Sequence, residues 1–76
     1  MKELVAALAR ALVREPEEVA VHEYEERGRT LLDLEVSPDD RGRVIGRQGR
    51  TASALRTLLD AVAVRQGRKV DLEILD

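Results

Sequence analysis

The sequence predicts a two-layer α+β domain of order α-β-β-α-α-β, in which three helices cover one face of a three-stranded sheet. Three observations carry that expectation. Apolar residues recur at helical spacing near the N-terminus and again after Arg50. Around Val19, Leu32 and Val70 they alternate instead with charged residues, as in half-buried strands. Prolines and glycines fall between these stretches rather than inside them. At 76 residues, and with no repeat, linker or low-complexity stretch, positions 1–76 read as one domain around one small core.

Leu4, Leu8, Ala11 and Leu12 lie on one helical face, and the alanines between them favour the helix. Pro16 ends this helix near Arg14, because the residue before a proline is pushed out of the α region. Val19 and Val21 begin a strand that runs through Tyr24. Glu26-Arg27-Gly28-Arg29 then turns, with Gly28 free to take a positive φ. Leu32, Leu34 and Val36 alternate with Asp33 and Glu35, so a second strand returns with one buried face. Ser37-Pro38-Asp39-Asp40 reads as a helix start. Ser37 supplies a cap, Pro38 suits the first position, and two carboxylates face the positive end of the dipole. Gly46 and Gly49 keep that helix short. Leu55, Leu58, Leu59 and Val62 give an amphipathic third helix from Arg50, which Gly67 ends. Val70, Leu72 and Ile74 close the sheet.

Composition removes several function classes. There is no cysteine, hence no disulfide, thiolate metal site or thiol nucleophile. Tyr24 is the sole aromatic residue, whereas proteins that stack bases on a sheet need two or three. The N-terminus lacks a signal peptide's apolar run, so a cytoplasmic location is the default. A net charge of −2 argues against general affinity for nucleic acid, but its distribution is uneven. Residues 1–40 hold five basic and eleven acidic side chains, whereas residues 41–70 hold eight basic ones against Asp60 alone. Such focusing fits a confined anion site, or equally an arginine-rich solvated helix face.

The start of the third helix favours the anion site. Its first turn, Arg50-Thr51-Ala52-Ser53, has no carboxylate and adds a cation to an end that is already positive. Phosphate is the natural counter-charge at a helix N-terminus entered through glycines. Gly46 and Gly49 remove Cβ atoms that would hold a sugar-phosphate backbone away, and Arg41, Arg43, Arg47 and Arg50 surround the spot. Arg47 supplies charge at the loop tip and Gln48 a hydrogen bond. The N–H groups from Gly49 through Thr51 to Ala52 face the phosphate, and Ile45, with Val36 or Leu34, offers an apolar wall for bases. Val44 and Ile45 cannot both face the groove, so one of them packs in the core. The P-loop pattern is absent, which leaves triphosphate hydrolysis without support.

Val44-Ile45-Gly46-Arg47-Gln48-Gly49 resembles the V-I-G-x-x-G signature of KH domains, whose GXXG loop clamps about four nucleotides of backbone. The element order is their type II, prokaryotic arrangement. Over essentially its whole length the chain resembles the KhpA family of small bacterial single-KH proteins. That resemblance rests on Pro16-Glu17-Glu18-Val19, Ser37-Pro38-Asp39-Asp40, the run from Gly46 to Leu59, and Leu72-Glu73-Ile74. It implies single-stranded RNA as the ligand, bound by Arg41, Arg43, Ile45, Gly46, Arg47, Gln48, Gly49, Arg50 and Thr51. It also implies a homodimer, a KhpB-like KH-containing partner, and a role as RNA chaperone or post-transcriptional regulator. Ala52 departs from the large aliphatic residue common in KH domains at that position, and base preference does not transfer.

The remaining chemistry-bearing residues have ordinary explanations. His22 is a lone histidine on a strand and lacks further metal ligands, Asp39 and Asp40 suit a helix start, and Tyr24 suits strand-edge packing. No convergent acid–base pair supports an enzyme, and neither a metal nor a cofactor is expected. The alternative to an RNA-binding module is an interaction or dimerisation domain that meets RNA only through its partner.

Overall fold

The computed structural model describes residues 1–76. Helix α1 (Lys2–Leu12) precedes a hairpin of β1 (Ala20–Glu26) and β2 (Arg29–Glu35). Helices α2 (Arg41–Ile45) and α3 (Arg50–Arg65) follow, and β3 (Lys69–Ile74) ends the chain. Short 3-10 turns occupy Pro16–Glu18, Pro38–Asp40 and Arg47–Gly49. The expected α-β-β-α-α-β order is present. β2 is the central strand, antiparallel to β1 and parallel to β3.

The alternation seen in the sequence sets the buried face. Thr30, Leu32 and Leu34 of β2 are at most 1% exposed, while Arg29, Leu31, Asp33 and Glu35 take the opposite parity. Val5 and Ala9 of α1, Val44 of α2, and Leu55, Leu59 and Ala63 of α3 close over the inner face with Val21, Val70 and Leu72. Fourteen apolar residues form one cluster.

The hairpin turn lies where expected, while the end of α1 and the roles of Asp40 and Ser37 differ from the sequence reading for identifiable reasons. The hairpin turns on two left-handed residues, Arg27 (φ 51°) as well as Gly28 (φ 78°), because a two-residue loop between right-twisted strands requires both. Helix α1 stops at Leu12 and Val13 is already extended. The N–H groups of Arg14 and Glu15, which would continue the helix, are taken by the carboxylate of Asp40 at 3.2 and 3.0 Å. Asp40 is therefore a 1%-exposed acceptor between segments rather than a solvated dipole partner, as its sequence position had suggested. Ser37 likewise accepts the Asp40 N–H through its carbonyl at 2.8 Å, and its hydroxyl caps nothing. At the end of α3 the expected glycine stop is present: Arg68 N–H reaches Ala63 O and Gly67 N–H reaches Val64 O, with Gly67 at φ 67°.

Arg29 and Asp71 join β2 to β3 with paired bonds, Nε to Oδ2 at 2.8 Å and Nη2 to Oδ1 at 2.9 Å. Hydrogen bonding from Arg29 holds the Asp71 carboxyl below its ordinary value, and Asp71 raises Arg29 in turn. A carboxylate lowered in the native state adds stability that is complete above its unfolded pKa and is lost as pH falls through the native value. Asp71→Asn should therefore flatten the dependence of stability on pH below about pH 4. Urea unfolding at several pH values measures this, and a profile identical to the parent's would show that the pair contributes nothing. Both side chains are about half exposed, so the effect is small.

Candidate nucleic-acid interface

The link between α2 and α3 has unusual backbone geometry. Gly46 (φ 78°, ψ 171°), Gln48 (φ 57°, ψ 25°) and Gly49 (φ 74°, ψ 14°) all lie at positive φ within four residues. Gly46 N–H bonds to Gly42 O at 2.8 Å, and Gly49 N–H bonds back to Gly46 O at 3.1 Å, which folds the loop tightly. Gln48 stands out because a non-glycine residue in the left-handed region is uncommon.

The two glycines serve different ends. A Cβ on Gly46 would lie 2.2 Å from Thr51 Oγ1 and 2.8 Å from Thr51 N, so the space beside Gly46 is filled from within. A Cβ on Gly49 would meet nothing within 4 Å. The sequence reading gave both glycines to the approach of an outside backbone. Space beside Gly49 is open, whereas Gly46 is required by Thr51 and by a φ/ψ pair that is essentially glycine's own.

Val44 is fully buried and Ile45 is 39% exposed, which settles the choice between them. Leu34 and Val36, expected as further groove wall, are core residues at 0% and 5% exposure and offer nothing outside. Arg43, Arg47, Gln48 and Arg50 are exposed, while Arg41, Gly46, Gly49 and Thr51 are half-buried. Arg41 Nε is enclosed without a hydrogen-bond partner, so only part of that guanidinium faces solvent. Among the four arginines only Arg43 approaches a carboxylate, Asp40 Oδ1 at 3.7 Å. No side chain caps α3, and its first turn has no acidic residue. Ala52 packs inward at 4% exposure.

Sequence reasoning missed Arg56. From Gly49, the positions Ser53, Arg56 and Asp60 follow at intervals of three or four along one face of α3. This face leads, roughly 10 Å on, to a groove of about 270 Å³ lined by Arg29, Arg56, Leu59, Asp60, Val70 and Leu72 among others. There Arg56 donates through Nε (3.3 Å) and Nη2 (3.1 Å) to the carbonyl of Leu72. The helical spacing from Gly49 was the available signal. The carbonyl partner on a distant strand had none.

A second groove of about 270 Å³ is apolar and lies between α1 and α3, lined by Leu8, Ala11, Leu12, Thr51, Ala54, Leu55 and Leu58. Leu58 is 42% exposed and Val64 75%. His22 is exposed, 3.9 Å from Glu35, and no cluster of His, Asp or Glu suits a metal. Tyr24 lies exposed on the edge strand, donating to Asp33 Oδ2 at 3.2 Å. That hydrogen bond to a carboxylate pushes its phenol above the usual range.

A sheet of this order, with Gly-X-X-Gly between its second and third helices, defines a KH domain of the type II arrangement. The family model for the KH domain of KhpA and KhpB matches residues 2–74, and the chain belongs to that family. It is 48% identical over 75 residues to the RNA-binding protein KhpA of Clostridium perfringens, covering 99% of this chain and 100% of that one. It is 49% identical over 76 residues to the RNA-binding protein KhpA of Halalkalibacterium halodurans, covering both chains completely. Among solved structures, Era in complex with MgGDPNP and nucleotides 1506–1542 of 16S ribosomal RNA shares the fold, with a TM-score of 0.56 at 24% identity. That likeness spans 96% of this chain and 28% of the Era chain.

The two glycines separate in a stability measurement. Gly46→Ala adds steric overlap to backbone strain and should cost about 3 kcal/mol or more. Gly49→Ala meets only the left-handed backbone and should cost about 1–2 kcal/mol. Equal losses in chemical denaturation would contradict the Thr51 contact.

Proposed function

We propose that this chain is an RNA-binding module that clamps the backbone of single-stranded RNA at the Gly46–Gly49 loop. The observation that carries the reading is the uncapped start of α3, open on the Gly49 side and flanked by Arg47 and Arg50, neither of which has a carboxylate partner. Phosphate would complete the charge there. Gln48 adds a donor at the tip, Ile45 an apolar surface, and Arg41, Arg43 and Thr51 border the strand's path. Bases continue along the Ser53–Arg56 face toward the groove beside β3. With no aromatic residue near, they rest on aliphatic side chains, which makes binding weak and only modestly selective. The names of the KhpA relatives support RNA as the ligand. A binding module rather than an enzyme, in the cytoplasm, is the corresponding cellular reading. A part in RNA chaperoning or post-transcriptional regulation beside a KhpB-like protein extends it.

A specific observation supports a homodimer as well. The α1–α3 groove is apolar, and Leu58 stands at its exposed rim. Two-fold pairing lets Leu58 of each copy enter the groove of the other, so one patch serves both partners. A chain of this size gains by such burial.

Arg47→Asp with Gln48→Asp leaves both glycines in place, and aspartate tolerates the left-handed conformation at position 48. The protein should melt nearly as the parent does. RNA affinity should fall by about 2–4 kcal/mol, roughly thirtyfold to a thousandfold, as two negative charges meet phosphate. In the parent, log affinity should fall with log salt at a slope near −2, for about three phosphates at ~0.7 each. A folded double variant that binds RNA as well as the parent would sink the loop reading in favour of an interaction domain. Sedimentation at micromolar concentration should show a dimer that Leu58→Glu converts to a monomer. A parent that is monomeric throughout would remove the dimer claim.

A further inference from the structure

Asp40 is the one charged side chain that is fully buried, at 1% exposure. Its oxygens are committed to main chain from another part of the molecule: Oδ1 accepts from Arg14 N–H at 3.2 Å and Oδ2 from Glu15 N–H at 3.0 Å. The carboxylate is thereby fixed at the root of α2, a helix of five residues that leads directly into Gly46. One turn on, Arg43 places Nε 3.7 Å from Oδ1 while its side chain stays 45% exposed. This distance is too long for a hydrogen bond but close enough for electrostatic guidance. Arg29 provides the contrast, since its paired bonds to Asp71 at 2.8 and 2.9 Å use up the same kind of side chain.

We propose that Asp40 is a positioning residue for RNA binding and acts through Arg43. The inference rests on the RNA reading of the loop. A free arginine samples many rotamers and must lose them when it meets phosphate. A carboxylate that cannot move, set beside the Nε end of the side chain, narrows that range in advance. The long contact leaves the Nη groups for the ligand. Pre-ordering of this kind strengthens binding without adding a contact to RNA. Simple neutralisation of Arg43 has the opposite sign: removing Asp40 would then tighten binding.

A double-variant cycle tests the coupling, using fluorescence anisotropy with a mixed-sequence single-stranded RNA of about 12 nucleotides. Asp40→Asn keeps the side chain's shape and removes its charge. It should weaken binding about three- to tenfold in the parent, but less than about twofold where Arg43→Gln is already present. A drop in melting temperature should persist in both backgrounds, since the bonds to Arg14 and Glu15 do not involve Arg43. Equal losses of affinity in the two backgrounds, no loss, or tighter binding would each overturn the proposal. Should Asp40→Asn fail to fold, the Nε–H resonance of Arg43 in the unmodified chain decides. A higher Nε–H order parameter than those of Arg47 and Arg50 supports the proposal, and one as low as theirs overturns it. Failure of the unmodified chain to bind RNA overturns the RNA reading along with it. Binding by the parent with equal Asp40→Asn losses removes the positioning role alone.

Discussion

Parallel pairing of β2 with β3 is the constraint from which the position of the loop follows. An antiparallel partner can be reached through a two-residue turn, as β1 and β2 show, but a parallel one requires the chain to cross back over the sheet. A strand of seven residues spans roughly 23 Å, and the sixteen residues of α3 span roughly 24 Å. α3 alone is long enough for the return. α2 and the loop are thus left at the end of the sheet where β2 finishes, with no distance to cover. Their anchors are Val44 on one side and Ala52 on the other, both buried. Between these fixed points the backbone can hold three positive φ values that an unsupported segment would relax.

Much of this was legible in the sequence, because it depends on patterns that repeat. Leu32, Leu34 and Val36 announce their strand by alternation, and Gly67 announces a helix stop by its place after an amphipathic run. The charge imbalance between the two parts of the chain, together with Gly46 and Gly49, located the loop without any knowledge of contacts. What stayed illegible involves single side chains meeting distant partners. Asp40 has the same local sequence whether it faces a helix dipole or accepts two N–H groups from residues 14 and 15. Leu34 and Val36 were read as groove wall because alternation gives the parity of a strand's faces and not what covers each of them. Gly46 was assigned to an external ligand because the filling by Thr51 is set by the turn itself, which no spacing rule encodes.

The uneven charge acquires a direction in three dimensions. The outward face of the sheet carries Asp33, Glu35, Asp71 and Glu73, opposed by Arg29 and Lys69. The arginines of residues 41–50 lie at the loop, where the one carboxylate within 4 Å of any of them, Asp40, is already occupied by main chain. An approaching polyanion meets repulsion from the sheet face and attraction at the loop, which orients it before contact. A net charge near zero is compatible with a strongly polar molecule.

The sheet has two exposed edges, and each is defended in its own way. β1 ends in Glu23, Tyr24, Glu25 and Glu26, a charged border that disfavours a neighbouring strand. On β3 the Leu72 carbonyl, which a strand from another molecule would need, is already held by Arg56. Such blunting guards against runaway cross-β assembly and domain swapping, the hazards of any short sheet with open sides. A chain so edged does not polymerise through its own backbone.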